Sequence, residues 1–172
     1  MIKLKCEFTK KGLPALWEQG GGYTNTGVAQ IITGAQGEPL CPVYIKRRGH
    51  RACSAHALFV VRPGYHIIQA SHHRGDFTIE VLSVVNVDTS SQEVTCELVT
   101  RYSEGEWSKP LPDYLKPAIE QAVRKALCYH CREPHYFDPG ERWSPQNLCW
   151  RAKEEPSSRT LENEVFRELG LK

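Results

Sequence analysis

Cys128-Tyr129-His130-Cys131 places two thiols three residues apart, with His135 close behind and Cys149 farther on. Two thiolates at that spacing can bite one zinc ion, and a third sulfur with one imidazole closes a tetrahedron. We therefore read Cys128, Cys131, His135 and Cys149 as a structural zinc site, with His130 able to replace His135. A closed four-ligand site leaves no position for a reactive water, so its role is to tie a core-poor segment to the helix before it.

A second chemistry is carried by basic residues. Lys46-Arg47-Arg48-Gly49-His50-Arg51 is the densest cationic run, and Ser71-His72-His73-Arg74-Gly75 forms a second His/Arg turn. Arg and Lys recognise phosphate through charge and, for Arg, bidentate hydrogen bonds, so Lys46, Arg47, Arg48, His50, Arg51, His72, His73 and Arg74 are the candidate nucleic-acid contacts. Tyr23, Tyr44 and Tyr65 are candidate stacking surfaces for unpaired bases. The same histidines could serve a metal-independent ribonuclease, because imidazole titrates near neutral pH and can exchange protons with a 2′-hydroxyl and a leaving oxygen. No spacing specifies the second group such a mechanism needs. His50, Cys53 and His56, with Cys41 upstream, have metal-binding side chains, but their spacing suits neither a helical nor a strand face. Gly20-Gly21-Gly22 lacks the following Lys-Ser/Thr of a phosphate-binding loop and reads as a turn.

Charge is divided along the chain. Residues 1–75 hold ten Lys/Arg against three Glu, a formal +7, whereas residues 76–172 hold twelve against seventeen Asp/Glu, a formal −5. That split suits a basic surface facing a polyanion and an acidic part that keeps the protein in solution or meets a basic partner. The apolar content of 40% and charged content of 24% are those of an ordinary globular chain. The start, Met-Ile-Lys-Leu-Lys, lacks the apolar stretch of a secretion signal, and no run nears the roughly 18 apolar residues of a membrane span. A cytoplasmic protein with no membrane partner is expected. Seven cysteines cannot all pair, and in a reducing compartment Cys6 and Cys96 read as buried thiols.

Two regions must position these groups. Residues 1–106 show short alternating runs: Ile2–Phe8, Val28–Thr33, Val43–Ile45, Ala57–Val61, His66–Ala70, Phe77–Val87 and Val94–Leu98. Lys11 to Gly27 reads as a loop, Arg62-Pro63-Gly64 as the turn of a hairpin, and Leu82-Ser83 as a bulge where the alternation changes phase. The expectation is an α+β fold, with an N-terminal antiparallel β-barrel or strongly twisted sheet of six to seven short strands. In the acidic region 107–172, Leu115, Ile119, Val123 and Leu127 form the stripe of a packed amphipathic helix, with Asp113 as its cap. An irregular Cys-containing segment follows. Ser158 then starts a short C-terminal helix carrying Leu161, Val165 and Leu169 and stopped by Gly170. The strand order resembles small RNA-binding β-barrels at the level of architecture.

The reading that joins these features is a non-enzymatic binding protein for nucleic acid or a nucleoprotein complex, with structural zinc. The alternatives are a protein-protein adaptor or inhibitor of a nucleic-acid-processing complex, of the kind a mobile element encodes, and the histidine-dependent ribonuclease.

Overall fold

The computed structural model describes residues 1–18, 22–23, 26–47, 55–73, 76–126 and 165–171. In chain order the strands are β1 (Ile2–Lys5), β2 (Glu7–Phe8), β3 (Pro14–Glu18), β4 (Gly22–Tyr23), β5 (Thr26–Thr33), β6 (Tyr44–Arg47), β7 (Ala55–Val60), β8 (His66–His73), β9 (Asp76–Asp88), β10 (Glu93–Ser103) and β11 (Glu106–Trp107). A 3-10 turn, Asp113–Leu115, runs into α1 (Lys116–Ala126), and a short helical turn covers 165–168.

The fold is mostly β: two curled antiparallel sheets with few helices, broadly consistent with the α+β class. In place of one barrel or twisted sheet of six to seven short strands, the described strands form a seven-stranded sheet and a four-stranded sheet. The larger follows the order β1-β10-β9-β8-β5-β4 with β11 also on β10, and the smaller follows β2-β3-β7-β6. The expected hairpin at Arg62-Pro63-Gly64 is a turn between sheets. Tyr65 donates its N–H to the Arg62 carbonyl, and Gly64 takes a φ of +92° that a side chain would resist. The strands on either side pair elsewhere, β7 with β3 and β6, β8 with β5 and β9. The apolar runs Ala57–Phe59 and Ile67–Ile68 are buried throughout, so each strand needs cover on both faces, which a two-stranded hairpin cannot supply.

Two cores result, divided by the larger sheet. Ala29 and Ile31 of β5, Ile68 and Ala70 of β8, and Phe77, Ile79 and Val81 of β9 pack beneath α1. The alternate residues Ile32, Ile67, Leu82 and Val84 face the smaller sheet, meeting Leu16, Ala57 and Phe59, with Cys6, Val94 and Cys96 in the same cluster. The phase change read at Leu82-Ser83 is thus β9 passing from one core to the other. The register shifts lie beside it: Val85 is the extra residue of β9 between the pairs Thr95↔Asn86 and Cys96↔Val84, and Val99 that of β10 between Leu98↔Leu82 and Thr100↔Val81. Cys6 and Cys96 are free and buried, and burial raises both thiol pKa values.

Helix α1 uses the expected stripe up to Val123, and Leu127 lies outside the described residues. Leu115, Ile119 and Val123 are fully buried, joined by Ala118, Ala122 and Ala126 on the same face, so small side chains bring the helix close to β5 and β8. Asp113 does not cap: Pro112 occupies the cap position without a side-chain bond, and Asp113 pairs with Lys116 at 2.9 Å. Pro117 sits one residue inside α1, where the missing N–H costs no hydrogen bond. At the C-terminus Val165, Phe166, Leu169 and Leu171 join the α1 core, and Trp107 donates its indole N–H to the Leu169 carbonyl at 2.9 Å. Gly170, at φ +74°, ends that turn: its N–H bonds Arg167 and that of Leu171 bonds Phe166, the pattern of a Schellman stop.

The seam between the sheets is closed by side chains. Gln30 donates to the Trp17 carbonyl, and the Ile32 N–H donates to Glu18 Oε1 at 3.0 Å where no backbone partner runs alongside. Glu18 Oε2 in turn accepts from Lys125 Nζ at 2.8 Å, with the two side chains 9% and 1% exposed. Burial lowers the Lys125 pKa, and the facing Glu18 carboxylate opposes that shift. One buried ion pair therefore joins α1 to the seam.

Candidate nucleic-acid interface

The basic residues are positioned by strand ends. Lys46 and Arg47 close β6, in register with His56 and Ala55 at the start of β7. His72 and His73 close β8, paired with Phe77 and Asp76 of β9 and with Gly27 and Thr26 of β5. The two sheets communicate here: Glu18, opposite Ala57 on β7, is followed after three residues by Gly22, which pairs with Gly27. The described strand ends Arg47 and Ala55 of the smaller sheet flank the β6–β7 connection, and His73 and Asp76 of the larger sheet flank the β8–β9 connection. Arg48, His50, Arg51 and Arg74 lie in those connections, outside the described residues.

His72 is not a surface group. Only 6% of it is exposed, and its ring stacks on Phe77, its cross-strand neighbour, with centroids 4.6 Å apart and planes inclined by 29°. Its place on the α1 face of β8, opposite a core phenylalanine, makes it a packing residue.

The expected zinc ligands Cys128, Cys131, His135 and Cys149 lie outside the described residues, as does His130. Among the described residues no group of three or more His, Cys, Asp or Glu is placed to hold a metal ion. No described helix is long and apolar enough to cross a membrane.

The smaller sheet presents a surface that reading the chain segment by segment missed. Its inward residues are Leu16, Ile45, Ala57 and Phe59, so the alternate positions Trp17, Tyr44 and Leu58 face outward in one cross-strand row. Tyr44 is 50% exposed and meets the edge of Trp17 at 6.0 Å and 75°. The Trp17 indole N–H donates to Glu7 Oε2 at 2.7 Å, which holds the pair in place. Beside them an apolar groove of about 610 Å³ is lined by Phe8, Leu13, Val43, Tyr44 and Leu58, with Thr9, Lys10 and Lys11 also bordering it. Lys10 and Lys11 lie in the β2–β3 turn, which Gly12 completes at φ +79°. The signal was present as Lys-Lys-Gly between two short apolar runs, but Pro14 and the glycine triplet drew the segment into a loop. Pro14 is tolerated because it is the first residue of its strand. Of the other tyrosines named for stacking, Tyr65 packs against the core between the sheets.

Comparison with protein families, with curated proteins and with solved structures yields no match to this chain.

Proposed function

We propose that this protein is a non-enzymatic binder of nucleic acid or of a nucleoprotein complex, contacting phosphates through the basic connections after β6 and β8. What supports the reading is topological: strand ends of different sheets, Lys46-Arg47 of β6 and His72-His73 of β8, each lead into a connection rich in basic residues. Basic residues gathered from distant parts of the chain concentrate positive potential in a way that a solvated loop does not require. The burial of His72 takes that imidazole out of reach of a solvent-borne substrate. In this reading the Cys128–Cys149 segment is closed by structural zinc and takes no part in chemistry.

The test is salt-dependent binding. Replacing Arg47, Arg48 and Arg74 together by Ala should weaken association with a labelled oligonucleotide and flatten the plot of log affinity against log salt by about one unit per lost phosphate contact. An unchanged affinity and slope would remove the basic end from the mechanism.

A further inference from the structure

We infer that the groove on the outer face of the smaller sheet receives an unpaired base of single-stranded nucleic acid, making the protein selective for single strands. This rests on the nucleic-acid reading above and adds a site that the basic connections do not contain.

Three neighbouring apolar residues, Leu13 at 41%, Val43 at 52% and Tyr44 at 50%, stand open to solvent around one concavity. Such a cluster in a polar surround marks a binding surface. Its volume of about 610 Å³ lies in the range of sites that enclose a small ring system. The Tyr44 ring is braced at its edge by Trp17, whose own orientation is held by Glu7, so little side-chain freedom is lost when a base stacks on it. Stacking of this kind accepts any base and needs no hydrogen-bond code.

Charge selects the occupant. The charged side chains lining the groove are Lys10 and Lys11, which suit phosphates on either side of a seated base. Along β6 the chain runs from Tyr44 to Lys46 and Arg47 in three residues, about 10 Å at strand spacing. A single strand that seats a base at Tyr44 can therefore continue toward the basic end. A duplex cannot use the groove, because its bases are already stacked inside it.

The experiment compares three fluorescent probes on the full chain at one salt concentration: a short oligothymidylate, the same backbone with abasic sites, and a duplex of equal length. The wild-type protein should prefer oligothymidylate over the abasic strand by about tenfold. Tyr44→Ala should abolish that preference while leaving abasic and duplex binding within about twofold, and Tyr44→Phe should retain it. Lys10→Ala with Lys11→Ala should weaken binding of the oligothymidylate and reduce its salt slope by about 1.4. Circular dichroism verifies that the variants fold, as a half-exposed tyrosine permits. Equal binding of base-bearing and abasic strands, with Tyr44→Ala silent, overturns the groove while a loss in the Arg47/Arg48/Arg74 variant preserves the basic end. Failure of all three probes, with an acidic amphipathic peptide bound instead at Tyr44, overturns both.

Discussion

Replacing Lys125 by Met should unfold this protein more readily than any exposed substitution, and the structure sets the scale. Lys125 Nζ and Glu18 Oε2 are 2.8 Å apart, with side chains 1% and 9% exposed. At an effective dielectric of about 20 their gross attraction is about 6 kcal/mol, while withdrawing two ions from water costs several kcal/mol each. The pair is therefore near break-even against apolar packing, yet either ion left alone keeps the penalty without the attraction. In Lys125→Met, Glu18 would retain the Ile32 N–H and lose its countercharge. The expected cost is about 3–5 kcal/mol, or a fall in Tm of about 6–20 °C for a chain of this size. Adding Glu18→Gln neutralises the carboxylate while its amide oxygen still accepts from Ile32, so the double variant should recover more than half of the loss. Thermal and urea unfolding of the four proteins form a double-mutant cycle. A loss below about 0.5 kcal/mol in Lys125→Met, or a double variant whose loss equals the sum of the singles, would refute the idea that one ion pair joins helix and seam.

Other outcomes follow from single sites. Purified protein should carry about one zinc per chain, lost in Cys128→Ser; elemental analysis giving well under half an equivalent, unchanged in that variant, rejects the metal site. Wild-type protein should leave labelled single- and double-stranded RNA and DNA intact, and cleavage that survives purification but vanishes in His73→Ala would make it an enzyme. Burial holds the His66 pKa below its usual 6.5, against the opposing pull of the Gly34 carbonyl and Glu38. The unfolded chain therefore binds more protons just below pH 6.5, so stability is lost as the pH falls from 6.5 through the folded value, and His66→Gln should flatten that part of the profile. Asp88, which accepts from Ser90 and Ser91 in the β9–β10 turn, should titrate by NMR at about 2 rather than 3.8, with its contribution present above 3.8 and lost as the pH falls through about 2; titration at its ordinary value would contradict that turn.

What the chain discloses about itself divides along the range of the interactions involved. The α1 stripe, the alternation of β9 and β10 and the Gly170 stop are local: each is set by a period or by one residue's conformational freedom, and each was legible. Strand partnership is not local. Val60 and His66 are six residues apart and joined by a turn, yet their strands lie in different sheets, because β7 and β8 are apolar on both faces and each must find cover from elements far away. The same long-range choice buries a histidine: His72 and His73 are indistinguishable in sequence until the ladder sets His72 against Phe77. It also creates the outer row of Trp17, Tyr44 and Leu58, drawn from three strands whose neighbourhood no window of sequence reveals. Basic residues announce themselves by type, whereas the apolar groove exists only once β3, β7 and β6 are side by side. The basic runs on which the proposed binding rests were therefore readable from composition, and the groove proposed to select unpaired bases required the fold.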